Sequence, residues 1–578
     1  MKTIWNFFQS LPTRRDAILL SAFAMVITFQ PFYLQGQINI FEVGLYLPGI
    51  NGILHGLVPY RDFFHLRGPF ELYMPVWMMT IFGKNIAVLS AYFYLGTILT
   101  LVACVFLARE IFKTRFMLYL MVPVLVARTF PRVVFTYWGG MRYAWGILAI
   151  FAMIRFLKTQ QYKWIYLAGF ASACGLFTSV EIGVCAIAGI FAAHACSFLF
   201  KLYERTVIAK SLGVFLLGIA AVALPYVYYL WATHSLIPYV DCVRAVIVNI
   251  QETFNPHLVS VYPSNAIEAL RAMTNPLSKN FRHMTPSYLY IILLVYLIAR
   301  MKNRSMDKTG LAIVCLGTYG FIMYNTAFRG IWAAQFEMAL QPEKILLFFL
   351  MEEAYFFLKQ KRTALLVAGE SSKRAVARDG RRRFLAYAIT SLFVVIVISS
   401  IGYSVDRYNK RFFAFKYLMC TLTGKNVQAL MPLAKIESRP LAIERAKGMT
   451  VPAEQADELE AITAFFKNNS MPQDTIFMYP ELGTYSFLID RPFLGRFPIA
   501  TFSWFDDRWH GELLSDFKKV KPPFVIMPKD FPPSWREVYL GREENRKKYQ
   551  EMINMIFTDY KLKTTTPFSN IYVLKYER

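Results

Sequence analysis

IAVLSAYFYLGTILTLVACVFL, residues Ile86–Leu107, decides what kind of chain this is, because it carries no charged side chain from end to end. A helix rises about 1.5 Å per residue, so about 20 apolar residues cross a hydrocarbon core of about 30 Å. Lipid offers the backbone no hydrogen-bond partner, so such a run has to be helical. Leu212–Trp231 and Phe384–Tyr403 repeat the pattern. Hydrophobic residues make up 56% of the 578 positions and charged ones 17%. A soluble chain is roughly half apolar and a quarter charged. The expected fold is a polytopic α-helical membrane protein.

Working outward from that run, the sequence predicts about eleven spans, the first near 17–34 and the last near 384–403. Basic residues cluster in every second connection: Arg109, Lys113 and Arg115; Arg155, Lys158 and Lys163; Lys201, Arg205 and Lys210; Arg300, Lys302, Arg304 and Lys308; and the stretch Lys359–Arg383. By the positive-inside rule these loops and the N-terminus face the cytoplasm. Ala17–Leu34 lacks a small-residue cleavage site and reads as an uncleaved first span. Phe70–Phe82 is too short to cross and reads as a helix lying in the interface.

The net charge of +25 is explained by those loops. No long basic arm or basic-aromatic strand pattern accompanies it, so nucleic acid is not expected as a partner. Seven cysteines show no metal-binding spacing, and only Cys242 and Cys420 lie outside apolar runs, leaving one conceivable disulfide.

An odd span count places residues 404–578 outside, as an extracytoplasmic domain after a membrane domain of residues 1–403. Its pattern is α/β. Helices are expected over Ala453–Lys467 and Asp506–Val520, and strands over Thr475–Tyr479, Phe524–Met527, Tyr560–Thr566 and Ile571–Tyr576. It holds no glycine-rich phosphate loop and reads as a docking or recognition domain.

The first outer loop, residues 35–85, is the richest in chemistry: QGQINIFEVGLYLPGINGILHGLVPYRDFFHLRGPFELYMPVWMMTIFG over Gln35–Gly83. Glu42, His55, Arg61, Asp62, His65, Arg67 and Glu71 all fall at the mouth of the membrane. Ionisable groups there are costly and tend to mark function or a buried pair. A carboxylate beside guanidinium groups suits sugar transfer from a phosphate lipid. The carboxylate takes a proton from the acceptor hydroxyl, and the arginines hold the departing phosphate.

These motifs resemble the GT-C glycosyltransferases, which include protein O-mannosyltransferases and lipid A aminoarabinose transferases. Glu42-Val43-Gly44-Leu45-Tyr46 is similar to the family's acidic opening, Asp-Glu-Gly-x-Tyr. Pro59-Tyr60-Arg61-Asp62-Phe63-Phe64 is similar to its Pro-Tyr-x-Asp-Phe step, Arg67-Gly68-Pro69 to its basic-proline step, and Ile81-Phe82-Gly83 to its close. The resemblance covers the membrane part by span order and the tail by general character. It implies an inverting enzyme that takes one sugar from a polyprenyl-phosphate donor to an extracytoplasmic glycan, lipid or protein, in a membrane such as the bacterial inner membrane.

Within that resemblance Glu42 stands where the family places its catalytic acid. Arg67, Arg329, Arg142 and Arg61 are the candidates for the donor phosphate, and Tyr60, Asp62, His65 and Glu181 for the loop and acceptor side. No cofactor beyond the lipid-linked sugar is implied; a divalent metal is conceivable but not indicated. Two departures stand out. Val43 replaces the second acid of the pair, and Met141-Arg142-Tyr143 puts a cation where the family often has an acid at the outer start of the fourth span.

Plainer readings compete. Glu42 could cap a helix or pair with Arg67, Arg67 and Arg329 could be snorkelling anchors, and Asp62 could order a turn. Glu181 could satisfy broken helix ends, and His55 and His65 could be interfacial contacts. At the level of function the rivals are a transporter or lipid flippase, a surface-polysaccharide ligase or polymerase, and a non-catalytic binding protein. Against the first, no internal repeat is visible. The topology predicts that thiol or protease probes added outside intact cells reach the tail but not Lys359–Arg383. The opposite labelling would overturn both the topology and the position of the first loop.

Overall fold

The protein is described by a computed structural model over residues 2–29, 38, 43–65, 67–129, 141–245, 279–329, 333–368, 380–411, 413–424, 437–480, 483–498, 505–530 and 540–575. After α1 (Lys2–Gln9), α2 (Arg14–Thr28) opens the bundle. Two short helices of the first loop follow, α3 (Leu47–Leu54) and α4 (Phe70–Phe82). Next come α5 (Ile86–Ile111), α6 (Arg115–Thr129), α7 (Met141–Thr159), α8 (Tyr162–Leu176), α9 (Val180–Leu199) and α10 (Arg205–Ala232). The short α11 (Leu236–Ala245) precedes α12 (Lys279–Lys302), α13 (Lys308–Arg329), α14 (Ala333–Ala368) and α15 (Gly380–Arg411).

A helix thus underlies each expected span, but among the described residues only α5, α9 and α10 are long and apolar enough to cross a membrane by themselves. Each of the about eleven expected spans has its helix, and among the described residues only three of these helices meet the length and hydropathy of a crossing by themselves. The reason is local: α2, α6 and α8 have 15 residues each, and α7 carries Arg142, Arg155 and Lys158.

Helix starts are set by capping. Asn85 accepts from the Ala87 amide at 2.8 Å and opens α5. Thr13 and Asp16 form a reciprocal box at α2. Asp16 also accepts from Arg115 Nε at 2.9 Å and from the Tyr119 hydroxyl at 3.0 Å, which ties α2 to α6.

Helix α4 has 13 residues, about 20 Å of rise, short of the hydrocarbon core. Leu72, Val76 and Met79 are buried, while Trp77, Ile81 and Phe82 are exposed. That one-sided apolar surface suits a helix lying in the interface.

The sequence division at 403/404 falls inside a helix. Helix α15 continues to Arg411, and α16 (Phe413–Thr423) follows before the tail begins. The charges Asp406, Arg407, Lys410 and Arg411 end the apolar run, but charge does not end a helix.

In the tail, β1 (Ser438–Pro440) pairs antiparallel with β2 (Thr450–Pro452). The main sheet has the order β3 (Ile476–Met478), β4 (Phe524–Pro528), β6 (Ser569–Leu574), β5 (Tyr560–Thr565). Strands β3 and β4 are parallel and the other pairs antiparallel. The parallel pair needs a crossover, which contains α18 (Thr484–Leu488) and α19 (Asp507–Val520), while α17 (Ala453–Asn469) precedes β3. Asp506 caps α19 by accepting from the Trp509 amide at 2.8 Å. Two tail helices have no counterpart among the sequence expectations: the short α18, and α20 (Glu543–Asp559), whose charged face hides a buried Met552, Ile553 and Ile556. All seven cysteines are free, so the Cys242–Cys420 disulfide does not form.

The tail and the first loop share one buried core: Tyr46, Ile50, Phe63, Phe64 and Leu72 pack in the same cluster as Tyr485, Phe487, Phe497 and Trp509. Gln455 brackets Ile38, accepting from its amide and donating to its carbonyl, both at 2.7 Å. The Phe64 amide donates to the Arg496 carbonyl at 2.7 Å, and the Phe64 and Trp509 rings meet at 4.8 Å. Arg445 donates to Asn51 Oδ1 at 2.7 Å and pairs with Asp490 at 2.6 Å, which in turn meets His55 at 3.2 Å. Trp509→Ala should therefore cost about 3–5 kcal/mol and expose the first loop as well as the tail to limited proteolysis. Cleavage confined to the tail would show that the loop stands without it.

Candidate active site

The Pro59–Phe63 turn begins the site. Tyr60 sits at φ +69, left-handed backbone that a bulky side chain rarely adopts. Its amide donates to the Phe63 carbonyl at 2.7 Å, and its buried hydroxyl to the Arg67 carbonyl at 2.5 Å. Asp62 accepts from the Val58 amide and from Arg61 Nε and Nη2, each at 2.7 Å. The Arg61 hydrogen bond, helped by the one from Val58, holds the Asp62 carboxyl below its ordinary range against the effect of burial. Asp62 is engaged in ordering the turn, and Arg61 is half-exposed on it.

Gly68 then runs along the α8–α9 turn. Its amide donates to the Thr178 carbonyl at 3.3 Å, and the Phe70 amide to the Phe177 carbonyl at 3.2 Å. A Cβ on Gly68 would collide with the Phe177 carbonyl, so glycine is required for this close approach. The strap sets Arg67 beside the start of α9.

Arg67 is held from two sides. Its Nη1 donates to the two Glu71 oxygens at 3.0 and 3.2 Å, and to the Tyr46 hydroxyl. Glu71 is buried, one helical turn after Arg67. Burial works against the Arg67 charge, but Glu71, Tyr46 and Glu181 outweigh it and hold the guanidinium more firmly protonated than usual. His65, buried nearby, shows the reverse. Burial first, and then the Arg67 charge, push its imidazole down to about 3, so it is neutral at physiological pH. Its Nε2 has no hydrogen-bond partner among the described residues.

A second pair faces the first. Arg142, at the start of α7, is 1% exposed and lies 3.7 Å from Glu181, which is 48% exposed in the first turn of α9. Arg142 Nη2 donates to the Tyr143 hydroxyl at 2.9 Å, and its guanidinium sits 4.6 Å from that ring centroid. The carboxylate at a helix N-terminus also gains from the helix dipole.

The structure therefore gathers Arg67, Arg142, Glu181, His65 and Tyr60 at one mouth and keeps Arg61 and Asp62 on the adjoining turn. Glu42 lies outside the described residues. Arg329 ends α13, and its side chain likewise lies outside the description. Sequence reading gave no role to Tyr46 or Glu71, although the i,i+4 spacing of Arg67 and Glu71 was a usable signal. Tyr143 carried no signal. Among the described residues no group of three or more His, Cys, Asp or Glu side chains gathers to hold a metal ion.

No protein-family model and no curated protein matches the sequence. Solved structures do match in fold. ArnT from Cupriavidus metallidurans bound to undecaprenyl phosphate aligns over 97% of this chain and 98% of its own, with a TM-score of 0.51 at 10% identity. The same enzyme in its apo state aligns over 96% and 97%, with a TM-score of 0.50 at 12% identity. Because both alignments run nearly from end to end, bundle and tail together, the chain has a GT-C-like fold.

Proposed function

We propose that this chain is a membrane glycosyltransferase that moves a sugar from a polyprenyl-phosphate-linked donor to an extracytoplasmic acceptor with inversion. The observation that carries the reading is the Arg67 guanidinium, fixed by Tyr46 and Glu71 at the end of the bundle that meets the tail. The GT-C-like fold supports it, since ArnT has been solved with undecaprenyl phosphate.

In the proposed reaction, Glu42 accepts the proton of the acceptor hydroxyl. The acceptor oxygen attacks the anomeric carbon from the face opposite the phosphate. The bond from that carbon to the phosphate oxygen breaks, and the polyprenyl phosphate leaves with its electron pair. Arg67 and Arg329 receive the negative charge that develops on it. Arg142 and Arg61 are the further candidates for that role. Arg142 acts chiefly by holding Glu181, and Arg61 already has Asp62. Glu181, half-exposed, faces the acceptor side. His65, neutral, contributes polarity but no charge, and Tyr60 and Asp62 hold the loop in register.

Glu42→Gln should abolish transfer while leaving expression and donor binding largely intact, because the amide keeps the shape but cannot take the proton. Turnover near the wild-type rate in the purified variant would remove Glu42 as the base.

Arg67→Ala should weaken donor binding and turnover roughly ten- to hundredfold, since a charge-assisted contact is worth about 1.5–3 kcal/mol. Arg67→Lys should recover only part, because an ammonium cannot reproduce the guanidinium fork. Arg67→Ala also strands the Glu71 carboxylate, so Arg67→Ala with Glu71→Ala serves as the stability-matched variant. If that double variant binds and turns over a polyprenyl-phosphate-sugar normally, the phosphate is held elsewhere.

A further inference from the structure

At the end of the bundle opposite the Arg67 site, one buried carboxylate gathers three cations. Glu110, near the end of α5, is 6% exposed. Its Oε1 meets Arg109 at 3.0 Å and Arg155 at 3.1 Å, and its Oε2 meets Lys158 at 3.5 Å. Lys158 donates to the Glu110 carbonyl as well, and Lys308 Nζ, from the start of α13, reaches the Lys158 carbonyl at 3.4 Å. Arg155 also lies 5.2 Å from the Trp164 ring centroid, with Lys163 at 5.7 Å on the same ring. Arg109 Nε and Trp164 Nε1 are buried with no hydrogen-bond partner among the described residues.

One carboxylate cannot neutralise three cations, so this cluster keeps an excess of positive charge, and Lys308 adds to it. Glu110 fixes the cations in place, which lowers the ordering cost of binding an anion. The arrangement spans helix ends from α5, α7 and α13, with a tryptophan at the level where indole rings favour the headgroup layer. We infer that this cluster is a binding site for the phosphate headgroup of an anionic phospholipid in the leaflet opposite the tail. Basic pockets between helix ends bind such headgroups through charge and donor complementarity. The occupant is a resident lipid, distinct in face and in role from the proposed sugar donor.

The test is to reconstitute the full-length chain in phosphatidylcholine nanodiscs with and without phosphatidylglycerol. Lipid retained after detergent extraction is then counted by mass spectrometry. The wild-type chain should retain phosphatidylglycerol selectively. Lys308→Gln should lower that selectivity roughly fivefold, and Arg155→Gln with Lys158→Gln roughly thirtyfold, the effect of one and two basic residues near an anionic headgroup. Lys518→Gln with Lys519→Gln, a charge-matched change on the tail, should leave it unaltered. Equal retention of both lipids by the wild type would overturn the inference. Should the double variant fail to fold because Glu110 is stranded, Lys308→Gln decides alone, since that side chain is exposed; unaltered selectivity there would overturn the site.

Discussion

A largely desolvated guanidinium is tolerable only if a carboxylate and further acceptors surround it, and that demand organises the end of the bundle that meets the tail. Arg67 meets it with Glu71 and Tyr46. Glu71 comes from the first turn of α4, so that helix has to start where it does. Tyr46 comes from just before α3, so Val43–Tyr46 has to fold back over the strap. The strap itself approaches the α8–α9 turn closely because residue 68 has no side chain. The phosphate-binding role proposed for Arg67 thus rests on a residue whose position is settled by folding, before any ligand arrives.

The same requirement explains why the tail is not a separate appendage. An outer loop with Phe63, Phe64, Ile50 and Leu47 would expose a large apolar surface if it stood alone. Trp509, Phe497 and Phe487 of the tail cover it, and Gln455 and Arg445 lock its backbone and its Asn51. The sequence suggested a docking or recognition domain. The packing makes it the support on which Phe63, Phe64 and Ile50 of the first loop are held in place.

The charge that looked inverted at the fourth span acquires a meaning in three dimensions. Arg142 stands where an acid was expected, but Glu181 from the next-but-one helix lies beside it with its carboxylate half-exposed. An acidic group therefore reaches the mouth from α9, oriented by a cation on α7. At the opposite end of the bundle, Glu110 shows the reciprocal arrangement, with one buried acid orienting several cations. The two ends of the bundle thus carry different kinds of charged site.

The sequence by itself determined the helical bundle, the short apolar helix over Phe70–Phe82 and most tail elements. Each depends on the period and length of an apolar pattern within one segment. The Arg67–Glu71 pair was also legible, one helical turn apart, though its burial was not. Tertiary structure alone decided the rest. Arg142 and Glu181 lie on helices with α8 between them, and no local pattern couples their charges. Tyr46 becomes a ligand of Arg67 only when the loop folds back. The helix beyond residue 403 was misjudged because solvation changes along α15 while its backbone hydrogen bonding does not. Helix α20 was missed because its polar face dominates its composition. Whether a charge is a surface group or part of a site depends on which neighbours desolvate it, and those neighbours come from distant parts of the chain.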